Sequence, residues 1–173
     1  MYDWEVPDSA INVWVRLRQA CQALERAVRG ELEVYETSLP QIDMLMLLSV
    51  TDGPISESEI ASHLFRERHS VSGLVARMEK TGYVRKVKSA EDQRVVRVEI
   101  QPKGEQLLSQ ALGACTPYAR RIVKASLPDE EIDRLDGLLG RLRDGVLAWT
   151  GSEAESLPDT IDAVRLLDRP NGM

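Results

Sequence analysis

A chain of 173 residues, 43% of them apolar, can bury one core and still spare an element for oligomerisation. One Phe and four Tyr leave that core mostly aliphatic. No run of eighteen apolar residues exists, which excludes a transmembrane helix. Asp3, Glu5 and Asp8 give the first residues the wrong charge for a secretory or mitochondrial leader, so the expected location is cytoplasmic.

Cys21 and Cys115 belong to no CxxC or CxxH pattern, which argues against a disulfide framework or a zinc site. Both lie in helical, apolar surroundings and are expected to be buried and inert, with redox sensing as the alternative. His63 and His69 are six apart and do not share a helical face. No metal and no cofactor is expected. Nor is an enzyme, because no nucleophile–base pair or phosphate-cradling Gly loop is present.

The net charge of −6 argues at first against nucleic acid. Its distribution argues the other way. Between Ala61 and Arg97 nine Lys/Arg face four acids, a local charge of +5, while the rest of the chain holds 13 basic against 24 acidic residues. A basic module inside an acidic body attracts phosphates locally and keeps the body soluble.

In chain order, Val13, Leu17, Cys21, Leu24 and Val28 predict an amphipathic helix from Ser9 to about Leu32. Ile11, Trp14 and Val15 give it a second apolar face, suited to another subunit. Ser38, with Pro40 in the first turn and Gln41 three residues on, predicts a capped helix start before the apolar run Ile42 to Val50. Asp52-Gly53-Pro54 ends that helix. Ser56-Glu57-Ser58-Glu59 is a second capping box, opening a short helix to about Leu64.

Another helix is expected from Arg68 to Thr81, with Gly82 as its left-handed terminus. Val71, Leu74, Val75 and Met78 form its buried stripe; His69, Ser70, Gly73, Arg77 and Lys80 face the other way. The period then shortens. Tyr83 to Lys88 and Arg94 to Ile100 read as a β-hairpin with an exposed polar tip, Val96, Val98 and Ile100 on its core face. Pro102 restarts a helix to about Ala125, with an interruption or kink expected near Pro117. Asp129, Glu130 and Glu131 open a last helix, whose stripe is Ile132, Leu135, Leu138, Leu139, Leu142 and Val146, ending near Trp149.

The fold class is therefore mainly α with a small β-hairpin wing: a winged helix-turn-helix plus a helical dimerisation region. The expected organisation is an N-terminal helix (1–36), a DNA-binding lobe (37–101), C-terminal helices (102–150) and a tail (151–173) with at most one short helix, the flanking helices being given to dimerisation by the family resemblance below. In such a lobe the second helix of the pair enters the major groove and the hairpin reaches the backbone or minor groove. Candidate DNA-binding residues are Arg68, His69, Ser70, Ser72, Gly73, Arg77, Arg85, Lys86, Lys88 and Arg94. Trp14 and Tyr118, with Trp4 and Trp149, are candidates for an aromatic ligand cavity, although core packing or dimer contact explains them as well.

At these residues the sequence resembles the MarR family. The resemblance runs from Pro40 to Leu108 through Gly53-Pro54-Ile55-Ser56, Glu59-Ile60-Ala61, Val71-Ser72-x-Leu74-Val75-x-Arg77-Met78-Glu79-x-x-Gly82-Tyr83-Val84, Asp92-x-Arg94 and Ile100-Gln101-Pro102-Lys103-Gly104. It implies a homodimer, interlocked through its first and last two helices, on a palindromic double-stranded DNA operator, with a small-molecule effector. It also implies that Asp92 supports the wing and Arg94 contacts the minor groove. Three positions depart from the pattern. Phe65 stands where a Gly is usual, Glu67 where Ser caps the recognition helix, and Gly73 where a long polar residue often faces the groove. The alternative is a winged-helix module for protein–protein contact without operator binding.

Overall fold

A computed structural model describes residues 8–88 and 95–151. Six helices and a three-stranded sheet follow in the order α1 (Ser9–Glu33), α2 (Leu39–Val50), β1 (Ile55–Ser56), α3 (Glu57–His63), α4 (Arg68–Lys80), β2 (Val84–Lys88), β3 (Val96–Ile100), α5 (Pro102–Ser126) and α6 (Asp129–Thr150). The winged helix-turn-helix expected from the sequence is present. Among the described residues no helix is long and apolar enough to cross a membrane.

The core sits under the lobe. Ile42, Met44, Leu45, Leu47 and Leu48 of α2 pack with Ile60, with Val71, Leu74, Val75 and Met78 of α4, with Val84 and Val98, and with Leu107, Leu108, Ala111 and Leu112 of α5. The α4 stripe at spacings of three, one and three is buried as predicted, which fixes the rotation of α4 and turns its polar face outward.

Local chemistry sets the ends. At Ser56 the capping box is complete: the hydroxyl accepts from the Glu59 N–H at 3.2 Å, and Glu59 accepts from the Ser56 N–H at 2.6 Å. At Ser38 it is not. The Ser38 hydroxyl instead donates to Gln41 Oε1 at 2.9 Å, so two side chains satisfy each other and the backbone donors go uncapped. Gly82 takes φ +76° after α4, the left-handed conformation foreseen for it.

Several expectations are corrected. Of the interruption or kink expected near Pro117, the interruption is absent: α5 runs as one helix from Pro102 to Ser126, packed against α1 and α2. Val96 does not join the core face. It is paired with Lys88 at the far end of the β2–β3 ladder and is exposed, while Val98 is buried and Ile100 half-buried. Cys115 is buried and its thiol is pushed up, first by desolvation and then by Glu31, but Cys21 is exposed on α1. The strand β1 was not foreseen. It pairs antiparallel with β3, giving the sheet order β1-β3-β2 and placing Ile55 opposite Val98.

The outer helices are left bare. Only Leu32 of α1 is buried, and α6 has no fully buried side chain. Leu135, Leu138, Leu139 and Leu142 of α6 are 40–45% exposed, and Ile11 and Trp14 of α1 more so.

Candidate nucleic-acid interface

The interface is built on α4. With Val71, Leu74, Val75 and Met78 turned inward, Arg68, His69, Ser70, Gly73, Arg77 and Lys80 are all exposed on the opposite face. Glu67 precedes the helix without a side-chain capping bond, and its carbonyl accepts from the Ser70 N–H at 2.9 Å. The Arg77 guanidinium lies back over Gly73, with Nη1 3.6 Å from where a Cβ would be. Its charge is thus presented at mid-helix, above a position with no side chain of its own.

The turn before α4 has unusual geometry. Phe65 adopts φ +51°, a left-handed conformation that glycine takes freely and an aromatic residue adopts at a cost of about 1–3 kcal/mol. The turn is held by the Arg66 N–H donating to the Ala61 carbonyl at 2.9 Å. Phe65 keeps the backbone shape that the family's Gly would give, and adds an exposed ring. That ring lines an apolar cleft of 310 Å³ with Leu17 of α1 and Leu139, Leu142, Val146 and Leu147 of α6. A second cleft, of 510 Å³, lies between α1 and the lobe, with the charged side chains of Glu25, Arg29, Asp43 and Arg66 in its lining.

The other candidates fall into two groups. Lys88 is exposed at the end of β2. Arg85, Lys86 and Ser72 are engaged within the lobe. Arg85 donates through Nε to Glu99 Oε1 at 2.9 Å, its register partner on β3. Lys86 Nζ pairs with Glu57 Oε1 at 3.0 Å, and the Ser72 hydroxyl donates to the other oxygen of the same carboxylate. Asp92 and Arg94, the expected wing support and minor-groove residue, lie outside the described residues. Trp14 is exposed under the Arg18 guanidinium, 5.9 Å from its ring centroid. Tyr118 is half-buried, with Arg121 5.3 Å above it. Neither lines the two clefts.

Sequence reasoning missed the residues that hold the reading elements in place. Arg97 on β3 pairs with Glu59 at 3.5 Å and donates to the Pro54 carbonyl at 3.2 Å, fastening the wing base to the start of α3. Lys103 donates to the Thr81 carbonyl at 2.8 Å and sits over the Tyr83 ring, joining α5 to the end of α4. Glu57 joins three elements at once. The only sequence signal for any of these was an acid in a capping box or a lysine in the post-wing motif.

Comparison with known proteins agrees with this architecture. The family model for the MarR family matches residues 36–95, which cover the lobe from the end of α1 to the wing. The HTH-type transcriptional regulator TtmR of Methylorubrum extorquens (strain PA1) is 32% identical over 133 residues, 77% of this chain and 66% of that protein. The chain belongs to the MarR family of winged helix-turn-helix regulators. It spans just under two-thirds of TtmR, but 86% of the regulator YsmB of Bacillus subtilis (strain 168), to which it is 28% identical over 73% of its own length. Among solved structures, the organohalide-sensing regulator RdhR-CbdbA1625 in its ligand-free form superposes with a TM-score of 0.79 at 28% identity, covering 92% of this chain and 94% of that one. The same regulator with 2,4-dichlorophenol bound gives 0.78. A mutant MarR from E. coli, complexed with operator DNA, shares the fold at a TM-score of 0.71 and 17% identity, covering 78% of this chain and 95% of that one.

Proposed function

We propose that this MarR-family chain works in the cytoplasm as a homodimer that binds a palindromic double-stranded DNA operator through α4 and the wing, and that a small apolar ligand modulates that binding. The observation that carries the reading is the α4 face: Arg68, His69, Ser70 and Arg77 exposed over a helix whose other side is wholly buried. A helix held that way presents side chains to base edges while its axis stays fixed. Lys88, and Arg94 at the wing, add sequence-independent attraction to phosphates.

The dimer reading rests on α6 and the outer face of α1. An amphipathic helix of 22 residues with no fully buried side chain has its stripe available for a second copy. Two such lobes present their recognition helices about 34 Å apart, one DNA turn. The ligand reading rests on the apolar cleft under Phe65, where the outer helices meet the turn leading into α4. The 2,4-dichlorophenol complex of a regulator with the same fold fits a ligand of that character.

The test is a mobility-shift titration with the protein's own upstream DNA and an unrelated duplex, at about 50 and 200 mM salt. Tight binding to the upstream fragment alone, weakening steeply with salt, is expected. Equal and weak binding to both duplexes would overturn the operator reading.

A further inference from the structure

Glu57 is the first residue of α3, yet its two carboxylate oxygens reach two other elements. Oε2 accepts from the Ser72 hydroxyl on α4, and Oε1 pairs with Lys86 Nζ on β2 at 3.0 Å. The Glu57 side chain is 18% exposed and that of Lys86 33%, so the pair is better shielded than an ordinary surface ion pair. Burial pushes the Glu57 carboxyl up. The Ser72 and Lys86 hydrogen bonds, with the charges of Lys86 and Arg68, outweigh it and hold the group below its ordinary value. Strand β2 is fastened to α4 a second time, because the Lys86 N–H donates to Glu79 Oε1 at 3.2 Å.

This arrangement has two consequences for reading DNA. A carboxylate bonded to both α4 and β2 fixes the angle between the recognition helix and the wing strand, which helps only a duplex whose groove and backbone match that angle. A lysine already paired inside the protein gains little by moving to a phosphate, since it must leave a bare carboxylate beside the DNA. We propose that Glu57 is a positioning and specificity residue for DNA reading: it locks α4 to β2 and acts as the internal counter-ion of Lys86, removing Lys86 from the phosphate contacts. The proposal rests on the DNA-binding function above. It reverses the role that the sequence alone suggests for Lys86.

Salt titrations of the full chain on the upstream fragment and on an unrelated duplex test it, using Glu57→Gln, Lys86→Met, the double variant and Ser72→Ala. Glu57→Gln frees one cation per protomer, two per dimer, so the slope of log K against log salt on the unrelated duplex steepens by about 1.8, roughly a further twelvefold loss between about 50 and 200 mM. Lys86→Met leaves the slope at its wild-type value, and adding it to Glu57→Gln returns the slope to that value. Ser72→Ala removes the charge-assisted bond and lowers the ratio of specific to unrelated binding on the order of tenfold. A Glu57→Gln slope equal to wild type, or a Lys86→Met slope flattened by about 1.8, overturns the counter-ion role. An unchanged ratio in Ser72→Ala overturns the lock. A wild-type protein that binds neither duplex defeats the DNA-binding function instead. Amide exchange then still decides the lock: faster exchange along α4 in Glu57→Gln and Ser72→Ala supports it, and unchanged exchange overturns it.

Discussion

Replacing Gly104 with alanine would place a methyl carbon 2.2 Å from the Tyr83 carbonyl oxygen, 3.0 Å from Leu45 Cδ2 and 3.1 Å from Ile100 Cγ1. The first distance is about 0.8 Å inside the 3.0 Å limit that real Cβ atoms respect. The obstacle cannot swing aside. The Tyr83 carbonyl accepts from the Gln101 N–H at 2.9 Å, and Tyr83 leads directly into β2. Relief therefore requires α5 to move away from the sheet that carries the wing. Overpacking of this kind costs about 1–3 kcal/mol, and a rigid backbone neighbour puts Gly104→Ala at the upper end. Alanine's better helix propensity returns less than about 1 kcal/mol in a first turn. The net expectation is a loss of about 2 kcal/mol, lowering Tm on the order of 5 °C at fixed protein concentration. Urea denaturation followed by circular dichroism measures it, with the midpoint falling and the slope unchanged. Gly73→Ala is the internal control. Its methyl would meet nothing closer than Arg77 Nη1 at 3.6 Å, so it should stabilise by up to about 1 kcal/mol. If both variants changed stability by the same amount, or Gly104→Ala stayed within about 0.5 kcal/mol of the parent, the close-approach argument would be refuted.

Three further predictions follow from the same geometry. Leu139→Asp sets a charge in the bare stripe of α6 while touching nothing in the buried core, so sedimentation should show monomers with an intact lobe; an unaltered mass would move the dimer contact off α6. Arg68→Ala should relax preference at particular bases, by about 1–3 kcal/mol for a bidentate contact, whereas removal of Lys88 should weaken all sequences alike; competition with single-base operator variants distinguishes the two patterns. The Asp43 carboxyl is raised by desolvation, with Arg66 opposing and Glu25 adding to the shift. The folded chain therefore holds that proton more tightly than the unfolded one. The stability this gives is complete below the ordinary value of 3.8 and is lost as pH rises through the raised value. Asp43→Asn should accordingly gain on the parent between about pH 4 and pH 7, by a modest amount because the side chain is 43% exposed; urea midpoints at the two pH values would contradict this if the gain were larger in acid.

Much of the fold was legible because its determinants are local. The spacing of Val71, Leu74, Val75 and Met78 is a helical stripe wherever it packs, and Ser56 and Glu59 close a capping box within four residues. Gly82 marks a left-handed terminus by having no Cβ. The candidate site was half legible. The exposed cations of α4 could be named from the rotation of that helix, but the basic set as a whole was read as one surface. Arg85, Lys86 and Arg97 belong to ion pairs whose acids lie 14, 29 and 38 residues away in sequence, and spacing carries no trace of such pairs.

By itself, then, the sequence determined the order of the helices and of the two hairpin strands, the buried face of α4 and the ordered motifs that place the chain in its family. Those depend on interactions spanning one or two helical turns, which periodicity and capping chemistry encode directly. Tertiary structure alone decided that β1 joins the wing sheet, that Pro117 leaves α5 whole, that Phe65 takes a glycine's conformation, and which cations are paired inside the lobe. A charge has no partner until folding brings one within a few ångströms, and that approach is set by packing of the whole lobe rather than by the residues on either side.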